Sequence, residues 1–129
     1  MVVGSGVDVI EIARVARAIE RRGERFERRV FSGREIADCR RSLRPADQFA
    51  LRFAVKEATM KAVGTGWARG VRFVDIESVA SSERRGRMEI QLHGRTAATA
   101  EDLGVVRHHV AATHDRTHAF AVVLLEADD

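Results

Sequence analysis

The chain has one cysteine, one proline, no tyrosine and only two lysines among its 129 residues. With Cys39 alone, an intrachain disulfide and a cysteine-based zinc cluster are excluded. Aromatic residues are 5% of the chain, which leaves few stacking platforms for single-stranded nucleic acid. No stretch approaches the ~20 apolar residues of a membrane span. The amino terminus has no basic run, and Asp8 and Glu11 interrupt its apolar stretch, so no secretory signal is expected. There is no internal repeat, low-complexity segment or linker. A cytoplasmic protein is the default expectation.

What is present is enough for one globular domain. Apolar residues make up 45% and charged residues 32%, so a core can form and disorder is disfavoured. The net charge is +3, but its distribution is uneven. From Glu11 to Arg44 there are 11 Arg against 6 Asp and Glu, a local +5, and the remainder sums to −2. An acidic macromolecule or a polyphosphate is the natural partner of such a segment. Twenty of the 22 basic residues are Arg; the two lysines, Lys56 and Lys61, lie close together. Lys and Arg differ in geometry and hydration, so lysines kept in an Arg-rich chain point to chemistry.

Hydrophobic periodicity predicts a strand over 2–10 and an amphipathic helix over 11–22, stopped at Gly23. Ser32-Gly33-Arg34-Glu35 has the form of a capping box opening a short helix with Ile36 and Cys39. The longest periodic segment is 47–63, with Asp47 as N-cap and Phe49, Ala50, Phe53, Ala54, Ala58 and Ala62 on its buried side. Beyond Gly64 the chain turns β-rich. Segments 71–79 and 87–93 form a hairpin, 95–103 a short helix, and 107–113 and 118–126 two strands. The last is nearly all apolar and therefore central. The expected fold class is α+β, one long helix on a mainly antiparallel sheet.

Three groups of residues could carry chemistry. Glu57 and Lys61 stand four apart on one helix face, the spacing of a surface ion pair, but the small apolar residues around them indicate burial. Asp8 lies inside an apolar strand and needs a partner: an arginine, or a hard metal shared with Glu57. His114 ends a strand; His108 and His109 are adjacent and face opposite sides, so zinc is not expected. Gly4-Ser5-Gly6 lacks the third glycine of a dinucleotide site. Gly64-Thr65-Gly66 follows a helix, where the dipole repels phosphate. Phosphate bound there would depend on Lys61 and other cations.

These segments together resemble a known family. Gly4-Ser5-Gly6-Val7-Asp8-Val9-Ile10-Glu11-Ile12-Ala13-Arg14 is similar to the G-x-G-x-D-x-x-E-x-x-R opening of the holo-[acyl-carrier-protein] synthases, the small 4′-phosphopantetheinyl transferases. Residues 52–66, RFAVKEATMKAVGTG, resemble their R-F-A-x-K-E-A-x-x-K-A-x-G-T-G signature. Phe31-Ser32-x-x-Glu35, Phe73 to Glu77, and Thr113-His114-Asp115 fit three further family motifs in order. The chain departs from the pattern at Ala111, where the family has Ser, and at Met88, where it has Pro.

The resemblance implies a 4′-phosphopantetheinyl transferase fold over residues 1–129. It implies transfer of the 4′-phosphopantetheine arm of coenzyme A to a serine of an apo acyl carrier protein, with adenosine 3′,5′-bisphosphate as the other product. By the same resemblance Asp8 and Glu57 hold Mg²⁺, or Mn²⁺, and Lys61 meets the phosphates. Glu57, Lys61 and His114 are then catalytic, and Lys56, Lys61, Gly64, Thr65, Gly66, Thr113 and His114 bind coenzyme A. Glu57 and a metal-ordered water are both candidates for general base. Arg14, Arg17 and Arg21, with Arg25 and Arg28 behind them, are the expected docking residues for an acidic carrier of fatty-acid, polyketide or other biosynthesis. A homotrimer with intersubunit active sites is implied, without nucleic acid or membrane. Two rivals are a small RNA-binding module, which leaves Asp8 and Glu57 unexplained, and an inactive carrier-binding relative, which Ala111 alone favours.

Overall fold

A computed structural model of the chain describes residues 1–64 and 70–129. Thr65 and Gly66 therefore lie outside the described residues.

The sheet that carries the site has three antiparallel strands in the order β1 (Val2–Glu11), β5 (His118–Ala127), β4 (Val105–His114). β5 is central, as its apolar run predicts. Its alternate residues Ala119, Ala121, Val123 and Leu125 are fully buried, while Phe120, Val122 and Leu124 point to the opposite face and stay partly exposed. Asp8 stands opposite Ala121, and His114 opposite Ala119. Both therefore share the inner face.

Across that face runs α4 (Pro45–Val63), ~28 Å long at its 19 residues. The expected start at Asp47 needs correction. Pro45 occupies the first turn, where its missing N–H is not needed, and Arg44 is the cap residue without a side-chain bond. Asp47 lies within the first turn, in an ion pair with Arg44 at 2.9 Å. Gly64 ends the helix at φ +78°, a left-handed conformation suited to glycine.

Two glycines let β1 reach the helix. A Cβ on Gly6 would lie 1.9 Å from the carbonyl oxygen of Ala58, and one on Gly4 would lie 2.2 Å from that of Ala62. Strand and helix thus touch backbone to backbone, closer than any side chain permits.

The remaining elements cover the other side of α4. They are α1 (Ile12–Arg22), α2 (Glu24–Val30), α3 (Gly33–Arg40), the hairpin β2 (Ile76–Ala80) and β3 (Met88–Leu92), and α5 (Gly94–Asp102). A 3-10 turn, Phe73–Asp75, precedes β2 where a strand was expected. α2 has no counterpart in the sequence-based expectation. α4 is enclosed nearly all round, with Leu51, Val55, Met60 and Val63 buried along with the predicted face. Phe53 is only partly buried.

The capping box at Ser32 is present, and its Glu35 does more than cap. Glu35 Oε1 accepts from Ser32 N at 3.0 Å and from Lys56 Nζ at 2.7 Å. Its Oε2 accepts from the backbone and hydroxyl of Ser78. Lys56 Nζ also donates to the carbonyls of Phe73 and Ile76. Lys56 and Glu35 are both wholly buried. Such a pair is sustained because every lone pair and proton has a partner. Burial lowers the Lys56 pKa, and Glu35 opposes that shift. The network ties α3, α4 and β2 together. It also sets the rotation of α4, so that the next residue, Glu57, faces elsewhere.

Candidate active site

Asp8 from β1, Glu57 from α4 and Arg14, Arg17 and Arg21 from α1 line one cleft of about 500 Å³. Asp8 reaches it because the inner face of β1 holds no side chain at Gly4 or Gly6, so α4 lies close. Glu57 reaches it because it stands about 100° round the helix from the buried Lys56. The cleft thus combines two carboxylates with four arginines, Arg14, Arg17, Arg21 and Arg22, and the rings of Phe26 and Phe53.

The pKa of Glu57 is raised from its ordinary value, first by burial and then by the charge of Asp8; Lys61 and Arg14 partly offset this. Two carboxylates that repel each other across a cleft are a donor set for a hard divalent cation, which binds oxygen and draws its other ligands from substrate phosphates and water. Among the described residues no group of three His, Cys, Asp or Glu could hold a metal ion. The site therefore suits a cation shared with a phosphate-bearing substrate and not one caged by protein alone.

Lys61 does not pair with Glu57 as its spacing predicts. Its Nζ lies 3.1 Å from Asp8 Oδ1 and donates to the carbonyl of Val7 at 3.0 Å. α4 crosses β1 so closely that the strand is within reach of the lysine.

The other sequence-predicted residues fall in different places. Lys56 is the clearest correction. Its ammonium is fully enclosed and bonded to Glu35 and two carbonyls, so it holds the fold and meets no coenzyme A. Arg25 lies beside the cleft with Arg21, Arg22, Phe26 and Arg29. Arg28 lies on another surface with Glu27 and Ser32, in a 3.6 Å ion pair with Glu24. Gly64 caps α4. Thr113 pairs with Phe120 on the outer face of the sheet, whereas His114, the next residue, is on the inner face. His114 Nδ1 is 4.0 Å from Asp47 Oδ2, at the start of α4. Ten residues of helix separate Asp47 from Glu57, or ~15 Å. Within one chain, His114 and the carboxylate pair do not meet.

Arg52 was missed as a candidate. It is 7% exposed, its Nη1 donates to Gln48 at 2.9 Å, and its Nε has no hydrogen-bond partner among the described residues. A buried cation with spare donors is uncommon. It was legible only as the first letter of the RFAVKEA segment.

The profile of the 4′-phosphopantetheinyl transferase superfamily matches residues 4–123. The chain belongs to this superfamily. The holo-[acyl-carrier-protein] synthase of Alkalilimnicola ehrlichii is 44% identical over 130 residues, covering 100% of both chains. The crystal structure of the Neisseria meningitidis holo-[acyl-carrier-protein] synthase superposes with a TM-score of 0.85 at 28% identity, covering 98% of this chain and 99% of that one. The Helicobacter pylori synthase, solved in complex with coenzyme A, gives 0.81 at 27% identity, covering 95% and 99%. The α+β architecture of this transferase, helices on an antiparallel sheet, is thus the fold of its family. No helix among the described residues is long and apolar enough to cross a membrane.

Proposed function

We propose that this chain transfers 4′-phosphopantetheine from coenzyme A to a serine hydroxyl of an apo acyl carrier protein, giving the holo carrier and adenosine 3′,5′-bisphosphate. The observation that carries the reading is the cleft itself. It joins Asp8 and Glu57 to an arginine-lined wall, in a chain of the phosphopantetheinyl transferase superfamily.

Breaking a diphosphate gathers negative charge on phosphoryl oxygens, so the site needs cations and positioning more than a covalent catalyst. Asp8 and Glu57 would hold Mg²⁺, or Mn²⁺ in its place, which neutralises that charge and polarises the phosphoryl group. Lys61, more than half exposed at 55%, reaches from α4 to the same carboxylate and supplies a mobile positive charge for the diphosphate. Glu57, its proton affinity raised by burial and by Asp8, is a candidate to take the proton of the serine hydroxyl. Arg14, Arg17 and Arg21 present a basic wall to an acidic carrier helix, with Arg25 continuing it. The buried Cys39 thiol fits a reducing cytoplasm, where carriers serving fatty-acid biosynthesis would be met.

The assembly we propose is a homotrimer with sites between subunits. His114 and the carboxylate pair lie too far apart to serve one site from one chain. The outer face of the sheet also carries Val7, Val9, Phe120, Val122 and Leu124 at 36–63% exposure, an apolar surface that a second copy would cover. Sedimentation velocity is expected to give three times the 14.3 kDa chain mass; a monomer would remove the shared-site reading.

The reaction is tested by intact mass. Apo acyl carrier protein incubated with this protein, coenzyme A and Mg²⁺ is expected to gain one phosphopantetheine, ~340 Da from its formula, and EDTA is expected to prevent the gain. A folded protein that binds coenzyme A but modifies no carrier would instead be a binding-only relative.

A further inference from the structure

Lys61 holds a position that its role in the reaction does not explain. Glu57, four residues earlier on the same helix, is the partner its spacing favours. Its ammonium instead crosses to β1 and sits on Asp8 Oδ1 and the Val7 carbonyl. Asp8 is 13% exposed at its side chain, so few directions of approach to it remain open. A cation bridging Asp8 and Glu57 must approach the carboxylate that the ammonium already touches. Two cations on one carboxylate repel each other strongly in a partly buried site.

We propose that Lys61 is a displaceable counter-ion: its ammonium and a divalent cation compete for Asp8, and metal binding releases the lysine toward an anionic ligand. The inference rests on the reading of Asp8 and Glu57 as the metal pair. The exchange is electrostatically balanced. Asp8, Glu57 and Lys61 sum to −1, and among the described residues Glu57 has no ion pair of its own, since Lys61 sits on Asp8. A divalent cation neutralises both carboxylates, and the freed lysine, on a flexible and largely exposed stem, is then available to phosphate. Thermodynamic linkage makes the effect reciprocal: an anion that draws Lys61 away strengthens metal binding by the same factor. The lysine therefore couples the order of the two events, in addition to its own contact with the diphosphate. Arg14, the other cation near Glu57, is not bonded to Asp8 and does not enter the exchange.

The test is Mn²⁺ binding to the full-length protein without coenzyme A, read by electron paramagnetic resonance of free Mn²⁺ at low ionic strength. Lys61→Met and Lys61→Gln are compared with wild type, after circular dichroism has shown all three folded. Both variants are expected to bind Mn²⁺ about fivefold more tightly, the scale of a half-exposed ion pair. Unchanged or weaker binding in both variants, with wild type still binding, overturns the competition and leaves the metal pair standing. No Mn²⁺ binding by wild type or by either variant, even with adenosine 3′,5′-bisphosphate added, overturns the metal pair and the competition together.

Discussion

Glu57→Gln is expected to lower carrier modification by on the order of 10²–10³ while leaving the protein as stable as wild type or slightly more so. The activity loss follows because the amide keeps the shape of the side chain but removes one of the two negative charges of the cleft. The stability follows from the sign of the pKa shift. Burial and Asp8 raise Glu57 in the folded chain, so its ionised form is held less well there than in the unfolded chain. The resulting destabilisation is absent at low pH and grows as pH rises through the carboxylate range to the raised folded value. Above that folded value it is fully present in wild type and missing in the variant. Rates by intact mass, with melting by circular dichroism on the same samples, separate the two effects. A variant that loses activity and melting temperature together would place Glu57 in the fold and not in the chemistry.

Gly6→Ala is expected to be the most damaging small substitution in the chain. The added methyl would lie 1.9 Å from the Ala58 carbonyl oxygen and 2.9 Å from the Ala62 nitrogen, all main-chain atoms of α4 that cannot rotate away. Strand and helix must part, at about 4 kcal/mol or more. Against a total stability of ~5–15 kcal/mol this lowers the melting temperature by on the order of 15 °C. Gly33→Ala is the control. Nothing lies within 4 Å of its added carbon, and it sits at the start of α3, so its melting temperature is expected to stay within about 2 °C of wild type. Equal melting temperatures for the two variants would mean that the contact between β1 and α4 is looser than its geometry.

Much of the fold was legible because local and global signals agree. The unbroken apolar run of 119–125 announced a central strand, and alternation at Met88, Ile90 and Leu92 announced a half-buried one. α2 was not legible: Glu24–Val30 offers only Phe26 and Val30 as apolar positions among five charged residues, too few to show a period. The enclosure of α4 was half legible. Arg52, Lys56 and Thr59 lie outside the apolar face that periodicity picks out, yet all three are buried; the capping-box carboxylate and nearby carbonyls satisfy Lys56 inside the protein. No periodicity in one chain reports a partner found 21 residues away.

The site divides in the same manner. Asp8 stood out as a carboxylate in an apolar strand, but residue chemistry left an arginine and a metal shared with Glu57 both open, and only the family resemblance chose between them, since strand-to-helix crossing is a tertiary property. The scarcity of lysine was informative for both residues in different ways. Lys61 does lie at the site, whereas Lys56 is an internal brace. The Lys61–Asp8 contact was hidden by a spacing that favours Glu57, and only the glycine-mediated approach of β1 reverses that preference.

The length of α4 has a consequence beyond geometry. It carries Glu57 near one end and Asp47, with His114 against it, at the other. In the proposed trimer each chain therefore lends its two halves to two different sites. Chains broken at Glu57 and chains broken at His114 would then complement each other. A mixed assembly keeps some complete sites, although neither broken chain has any alone. Loss of function in such a protein is inherited by the assembly and not by the subunit.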